Sequence, residues 1–206
     1  MSLWVKLCGV RSESDIESAV AAGADAVGVV MTPSVRQVEI EVAKRLVLAA
    51  PDHLVKVGVF YRPDRAHVEN VRDQVPFDLF QAEPESLAGI EGIRVLPVVH
   101  DRVDLRTAVA SAAGASADGR VLVESAGRGG TGAAPDWDRV AAIGQLDHVI
   151  IAGGLTPDNV AGAVSTLRPG GVDVSSGVES SPGVKDPDLM RSFVEMARSA
   201  VTEVVR

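Results

Sequence analysis

Three groups of residues in this 206-residue chain have types and positions suited to chemistry on a small molecule. The first is a thiol near a cation: Cys8 closes the apolar run WVKLC, with Lys6 just before it and Gly9 just after. An isolated cysteine is most often a small buried hydrophobe, but an adjacent ammonium lowers a thiol's pKa and supplies a thiolate. The second is a carboxylate, Glu124, which ends RVLVE and is followed by a loop containing Gly129, Gly130, Thr131 and Gly132. Such a loop lets backbone amides approach a ligand that side chains would exclude. A carboxyl group donates a proton at neutral pH only if burial or a neighbouring negative charge, for which Asp173 is a candidate, lifts its pKa above about 4.3. The third group binds anions. Arg36, after the second strand, can hold a carboxylate in a bidentate fork. Gly153 and Gly154 in HVIIAGG, with Asp173, Ser175, Ser176 and Gly177 in GVDVSSG, form two glycine-bearing strand ends suited to a phosphate. Taken singly, such glycines also serve as ordinary tight-turn residues. Gln81 ends the fourth strand. His100, beside Asp101 and Arg102, reads as a loop residue, and His53, His67 and His148 receive no role.

These positions make sense only if strand ends converge. Eight short apolar, β-branched runs recur: WVKLC, DAVGVVM, LVKVGVF, FDLFQ, IRVLPVV, RVLVE, HVIIAGG and GVDVSSG. Helical patterns lie between most of them, including SESDIESAVAAG, EIEVAKRLVLAA, RAHVENVRDQV, DLRTAVASAAG, WDRVAAIGQL and TPDNVAGAVSTL; the connection around ESLAGIEG is the shortest. Ser12 or Ser14, Asp64, Asp104 and Thr156-Pro157 are read as helix starts, and Gly23, Gly114 and Gly170 as stops. Strands apolar on both faces and separated by helices imply a parallel sheet covered on each side. Eight such units point to an α/β fold, a (β/α)8 TIM barrel occupying residues 1–206 as one compact domain, with a doubly wound open sheet as the rival. SSGVESSPGVKDPDLM, after the eighth strand, has room for one short extra helix.

Composition narrows the function classes. A net charge of −8 with no Lys/Arg cluster argues against a nucleic-acid surface, and 3% aromatic residues against base-stacking platforms. No apolar run approaches the roughly 18 residues that would span a bilayer, and no signal-peptide pattern opens the chain. One cysteine excludes an internal disulfide framework and argues against a cysteine-built metal site. The expectation is a cytoplasmic monomer or homodimer whose partner is a phosphorylated small molecule, with no nucleic acid and no membrane.

Taken in order, VKLCGV, TPSVRQV, VGVF, GGTG followed by DW, IAGGLTPDNV and GVDVSSGVESSPGVKD resemble the phosphoribosylanthranilate isomerase family of tryptophan biosynthesis over nearly the whole chain. The resemblance implies a metal-free and cofactor-free Amadori rearrangement of an N-substituted aminoaldose phosphate. By that resemblance Cys8 is the general base and Glu124 the general acid, while Arg36 holds the anthranilate carboxylate and the glycine-rich ends of strands seven and eight hold the phosphate. Lys6, Gln81, Gly130, Gly153, Gly154, Asp173, Ser175, Ser176 and Gly177 are the further substrate-binding candidates. The chain departs from the family pattern in three places. Glu124 stands where the family has aspartate. QAEP at 81–84 replaces Gln-Leu-His-Gly, so a histidine becomes Glu83, and Ser34-Val35-Arg36 replaces Ser-Pro-Arg. These changes leave two alternatives open: a diverged relative acting on another N-substituted phosphosugar, and a catalytically silent barrel that binds a phosphorylated ligand or a protein partner.

Overall fold

The computed structural model describes residues 3–126 and 134–204. Eight parallel strands, β1 (Trp4–Cys8), β2 (Ala26–Val30), β3 (Val55–Val59), β4 (Leu79–Ala82), β5 (Val95–His100), β6 (Val121–Glu124), β7 (Val149–Ala152) and β8 (Gly171–Val174), pair in sequence order and close into a barrel. Closure is made where β1 pairs with β8, with Lys6 opposite Asp173. This register excludes the open-sheet alternative, in which β1 and β8 could not be neighbours.

Strand alternation explains which side chains fill the interior. Ala26, Val57, Leu79, Leu96, Val98, Leu122, Ile150 and Ala152 form the inner cluster, each large member stabilising the fold by roughly 1.5–3 kcal/mol through burial. The opposite strand faces pack on the helices in a larger outer cluster that includes Leu7, Val27, Leu46, Val123, Ile151 and Phe193. Continuing the inward alternation past these apolar layers places Cys8 above Lys6, Gln81 above Leu79, His100 above Val98, Glu124 above Leu122 and Asp173 above Gly171. The C-terminal mouth is therefore polar on these five strands, while Val30 of β2 and Val59 of β3 add an apolar stretch to its lining.

The connecting helices are α1 (Glu13–Ala22), α2 (Ile40–Ala49), α3 (Arg65–Gln74), α4 (Pro84–Leu87), α5 (Leu105–Ala113), α6 (Trp137–Ala141) and α7 (Val160–Leu167), with α8 (Pro187–Val204) completing the ring. Ser12 starts α1 through a reciprocal capping box with Asp15, and Gly23 ends it at φ +81°. Asp64 caps α3 through the His67 amide. Two expected boundaries are displaced. Thr156-Pro157 precedes α7 by a turn and Asn159 is its cap, while Arg168, not Gly170, takes the left-handed position that ends it. Gly170 serves packing instead, since a Cβ there would lie 2.0 Å from the Asp147 carbonyl oxygen. The expected helix across WDRVAAIGQL is only the five residues of α6. After β8 the chain forms a 3-10 turn, Ser176–Val178, and then a hairpin of β9 (Glu179–Ser181) and β10 (Val184–Lys185). Among the described residues no helix is long and apolar enough to cross a membrane.

Candidate active site

The barrel mouth is an open pocket whose wall includes Cys8, Arg36, Gln81, Glu83, His100 and Glu124. A smaller recess lies between the ends of β7 and β8, bounded by Gly153, Gly154, Leu155 and Ser176. Glu124, Asp173 and Ser175 border both, so the two compartments share a wall. Gly153 and Gly154 adopt φ +92° and +63°, conformations that favour glycine. Asn159 braces this turn by donating its amide to the Gly154 carbonyl oxygen at 2.9 Å while accepting the Thr156 N–H at 2.8 Å. Gly177 does not border the recess. A Cβ there would lie 1.9 Å from the Leu155 carbonyl oxygen, so its role is to let the β8 loop lie against the β7 loop. Gly130 lies outside the described residues.

Lys6 is wholly buried and borders neither compartment; its ammonium donates to Asp173 Oδ1 at 2.8 Å. Burial works against this cation, but Asp173 and the Cys8 sulfur outweigh it and raise its pKa above the ordinary value. Gly28 makes room for the group: a Cβ at that position would approach Cys8 Sγ to 2.8 Å and Lys6 Nζ to 3.0 Å. The expectation of a thiol pKa lowered by Lys6 is reversed. Burial pushes the Cys8 thiol up by more than Lys6 pulls it down, and Asp173 adds to the rise. Glu124 carries the shift anticipated for an acid. Burial, followed by the Asp173 carboxylate, raises it to about 7 against the opposing pull of His100 and Lys6.

Arg36 meets a partner the sequence reading did not assign. Its Nε and Nη2 donate to Glu179 Oε1 and Oε2 at 2.7 and 2.9 Å, and Lys185 Nζ donates to the same Oε1 at 2.9 Å. Burial disfavours the Glu179 anion, but Arg36 and then Lys185 hold its pKa at about 2. One edge of the Arg36 guanidinium is thus fixed by the β9–β10 hairpin, leaving Nη1 and the outer N–H of Nη2 for a ligand. The loss of proline before Arg36 does not loosen this turn, because Ser34 Oγ accepts the Arg36 N–H at 3.0 Å.

His100 is not a loop residue. It is the last residue of β5, opposite Glu124 on β6, and its Nε2 lies 3.2 Å from Glu83 Oε1. The inward alternation along VLPVVH, with Leu96 and Val98 in the same row, was the available signal. Glu179 and Lys185 had a signal too, since both lie in GVESSPGVKD.

The arrangement places a buried thiol, a protonatable carboxyl, a fixed guanidinium and a glycine-walled recess around one opening. This suits proton transfer on a molecule carrying two anionic ends. A profile of the family described as N-(5'phosphoribosyl)anthranilate (PRA) isomerase matches residues 5–196. The chain belongs to the PRA isomerase family. An N-(5'-phosphoribosyl)anthranilate isomerase of Pseudomonas fluorescens is 40% identical over 200 residues, covering 94% of each chain. The structure of the Thermotoga maritima phosphoribosyl anthranilate isomerase is similar at a TM-score of 0.81 with 31% identity, over 96% of this chain and 99% of that one. A second solved PRA isomerase, in complex with reduced 1-(o-carboxyphenylamino)-1-deoxyribulose 5-phosphate, matches at 0.78 with 30% identity and the same coverage. Of the three positions set apart in the PRA isomerase resemblance, Glu83 and Glu124 border the main cavity, whereas Val35 is exposed outside it.

Proposed function

We propose that this protein isomerises N-(5-phosphoribosyl)anthranilate to 1-(2-carboxyphenylamino)-1-deoxyribulose 5-phosphate, as a cytoplasmic single-domain enzyme of tryptophan biosynthesis. The observation that carries the reading is the pairing of two oppositely suited groups at one mouth: Glu124, whose pKa of about 7 keeps a proton available at neutral pH, and Cys8. In this reading Glu124 protonates the furanose ring oxygen as the anilino nitrogen lone pair opens the ring to a C1=N iminium. The Cys8 thiolate then takes the proton from C2, the released electron pair forms the C1=C2 enolamine, and tautomerisation places the carbonyl at C2. The free edge of Arg36 faces the substrate carboxylate, and backbone amides about Gly153, Gly154 and Ser176 receive the phosphate. The recess is bordered by two carboxylates and, among the described residues, by no Lys or Arg. Backbone dipoles therefore supply the positive end there.

The test is growth of a tryptophan auxotroph lacking the isomerase when it carries this gene, beside Cys8→Ala. The wild type restores growth, and Cys8→Ala, folded to the same extent, loses about 100-fold or more in kcat. Failure of the folded wild type to restore growth or to turn over the substrate refutes the assignment.

A further inference from the structure

Among the described residues, two side-chain oxygens in the mouth are buried without a hydrogen-bond partner: Gln81 Oε1 and Glu83 Oε2. Both residues border the main cavity, and Gln81 is only 5% exposed. An acceptor left unsatisfied in this way costs about 1–3 kcal/mol, and more for a charged group. The buried cations among the described residues are engaged elsewhere, Lys6 with Asp173 and both Arg36 and Lys185 with Glu179. His100 is engaged as well. Its Nε2 faces Glu83 Oε1 and its Nδ1 faces the Ser125 carbonyl oxygen, each at 3.2 Å. With acceptors at both ring nitrogens, the form that satisfies them is the doubly protonated imidazolium. That cation has no donor left for the cavity, and its charge keeps Glu83 an anion.

We propose that Gln81 Oε1 and Glu83 Oε2 form a pair of acceptors on one wall that recognises O–H and N–H donors of the sugar–amine part of the substrate, with His100 as the positioning residue that holds Glu83. This rests on the isomerase reading above. The wall also orients the molecule by exclusion. A phosphate or aglycone carboxylate placed against Glu83 Oε2 would meet like charge, so the anionic ends are directed to the β7–β8 recess and to Arg36, and the hydroxyl-bearing middle to β4 and β5. The family histidine at position 83 would present a ring that can donate; Glu83 cannot.

The experiment measures binding of two probes to the full chain by calorimetry: reduced 1-(2-carboxyphenylamino)-1-deoxyribulose 5-phosphate, which carries the donors, and inorganic phosphate, which occupies only the recess. Glu83→Met keeps the side-chain length without an acceptor, and is expected to weaken the first probe roughly 10- to 100-fold, the range for a lost hydrogen bond to a charged group. Phosphate affinity stays unchanged. Glu83→Gln, which retains a neutral acceptor, loses less than Glu83→Met. Nitrogen-15 spectra of the His100 ring at neutral pH show both nitrogens protonated in the wild type and one in Glu83→Met. Equal affinity of wild type and Glu83→Met for the reduced product, or parallel losses for both probes, overturns the wall while leaving the isomerase assignment intact. A wild type that neither binds the reduced product nor turns over the substrate overturns both.

Discussion

Glu124→Gln keeps the length of the side chain and removes its titrating proton, and the pH dependence of the remaining activity tests how the site divides its protons. In the wild type Glu124 titrates at about 7, while Cys8 lies above the ordinary thiol value of 9.0. Catalysis needs the acid protonated and the base ionised, which is the reverse of their order of titration. At any pH, therefore, no more than about one molecule in a hundred carries both in the working form, from a separation of at least about two units. The product of the two fractions rises with pH up to about 7, stays flat until the thiol titrates, and then falls. Lys6, Asp173 and Lys185 are the leading charges that bear on Cys8, and Arg36 interacts with it as well, so the substitution leaves the thiol's titration in place. In Glu124→Gln the limb near 7 disappears and log kcat/KM climbs with unit slope from about pH 7 to 9. The deficit relative to wild type shrinks about 100-fold across that interval, from a starting loss of roughly 100-fold or more. The assay is kcat/KM at half-unit steps of pH with folding checked at each. Parallel wild-type and variant profiles between pH 7 and 9 would refute the assignment of Glu124 as the acid.

Glu179→Gln weakens the brace on Arg36, so KM for the carboxylated substrate rises about tenfold with little change in kcat, while inhibition by ribose 5-phosphate is unaffected; equal losses for both ligands count against the role of Arg36. The wild-type Glu179 carboxyl is held at about 2 against 4.5 when free. Its contribution to stability is complete above 4.5 and is lost as pH falls from 4.5 toward 2, so Glu179→Gln gives a shallower acid-unfolding curve over that window. Asp173→Asn leaves the Lys6 ammonium buried without a counter-charge and costs about 3–5 kcal/mol in chemical denaturation; a loss below about 1 kcal/mol would mean the pair is not a structural ion pair. Gly28→Ala drives a methyl against Cys8 Sγ, lowering kcat more than it raises KM and destabilising the fold by about 1–3 kcal/mol, readable from steady-state kinetics and a melting curve.

Sequence periodicity was enough for the eight strands, because runs such as VIIA and VGV are apolar on both faces and have no other stable use than a covered parallel sheet. Closure was less legible: the pairing of Lys6 with Asp173 joins residues 167 apart, and no local pattern encodes it. Strand-end chemistry was readable where the residue type is scarce, as for Cys8, Glu124 and Arg36. It was misread where neighbours pulled the interpretation outward. His100 reads as a loop residue because Asp101 and Arg102 follow it, yet Asp101 is itself buried, held by Arg139 and donating its N–H to the Glu124 carbonyl oxygen. Lys6 reads as a substrate-binding residue, although the inward row continues below Cys8 into the core, where Lys6 is wholly buried. The net rise of the Cys8 thiol was not legible, since it depends on how burial compares with one cation, a quantity set by packing.

The two ion pairs that define the mouth, Lys6 with Asp173 and Arg36 with Glu179, each join the first fifth of the chain to the last. On a ribosome adding roughly 5–20 residues per second, the 143 positions between Arg36 and Glu179 take about 7–30 s to appear. Until then the base has no tuned field around it and the guanidinium has no brace. Refolding should show the same order, with barrel-like circular dichroism recovering before activity, because the last strand and its hairpin supply the partners of Lys6 and Arg36. The buried charge pairs of this mouth are a property of ring closure.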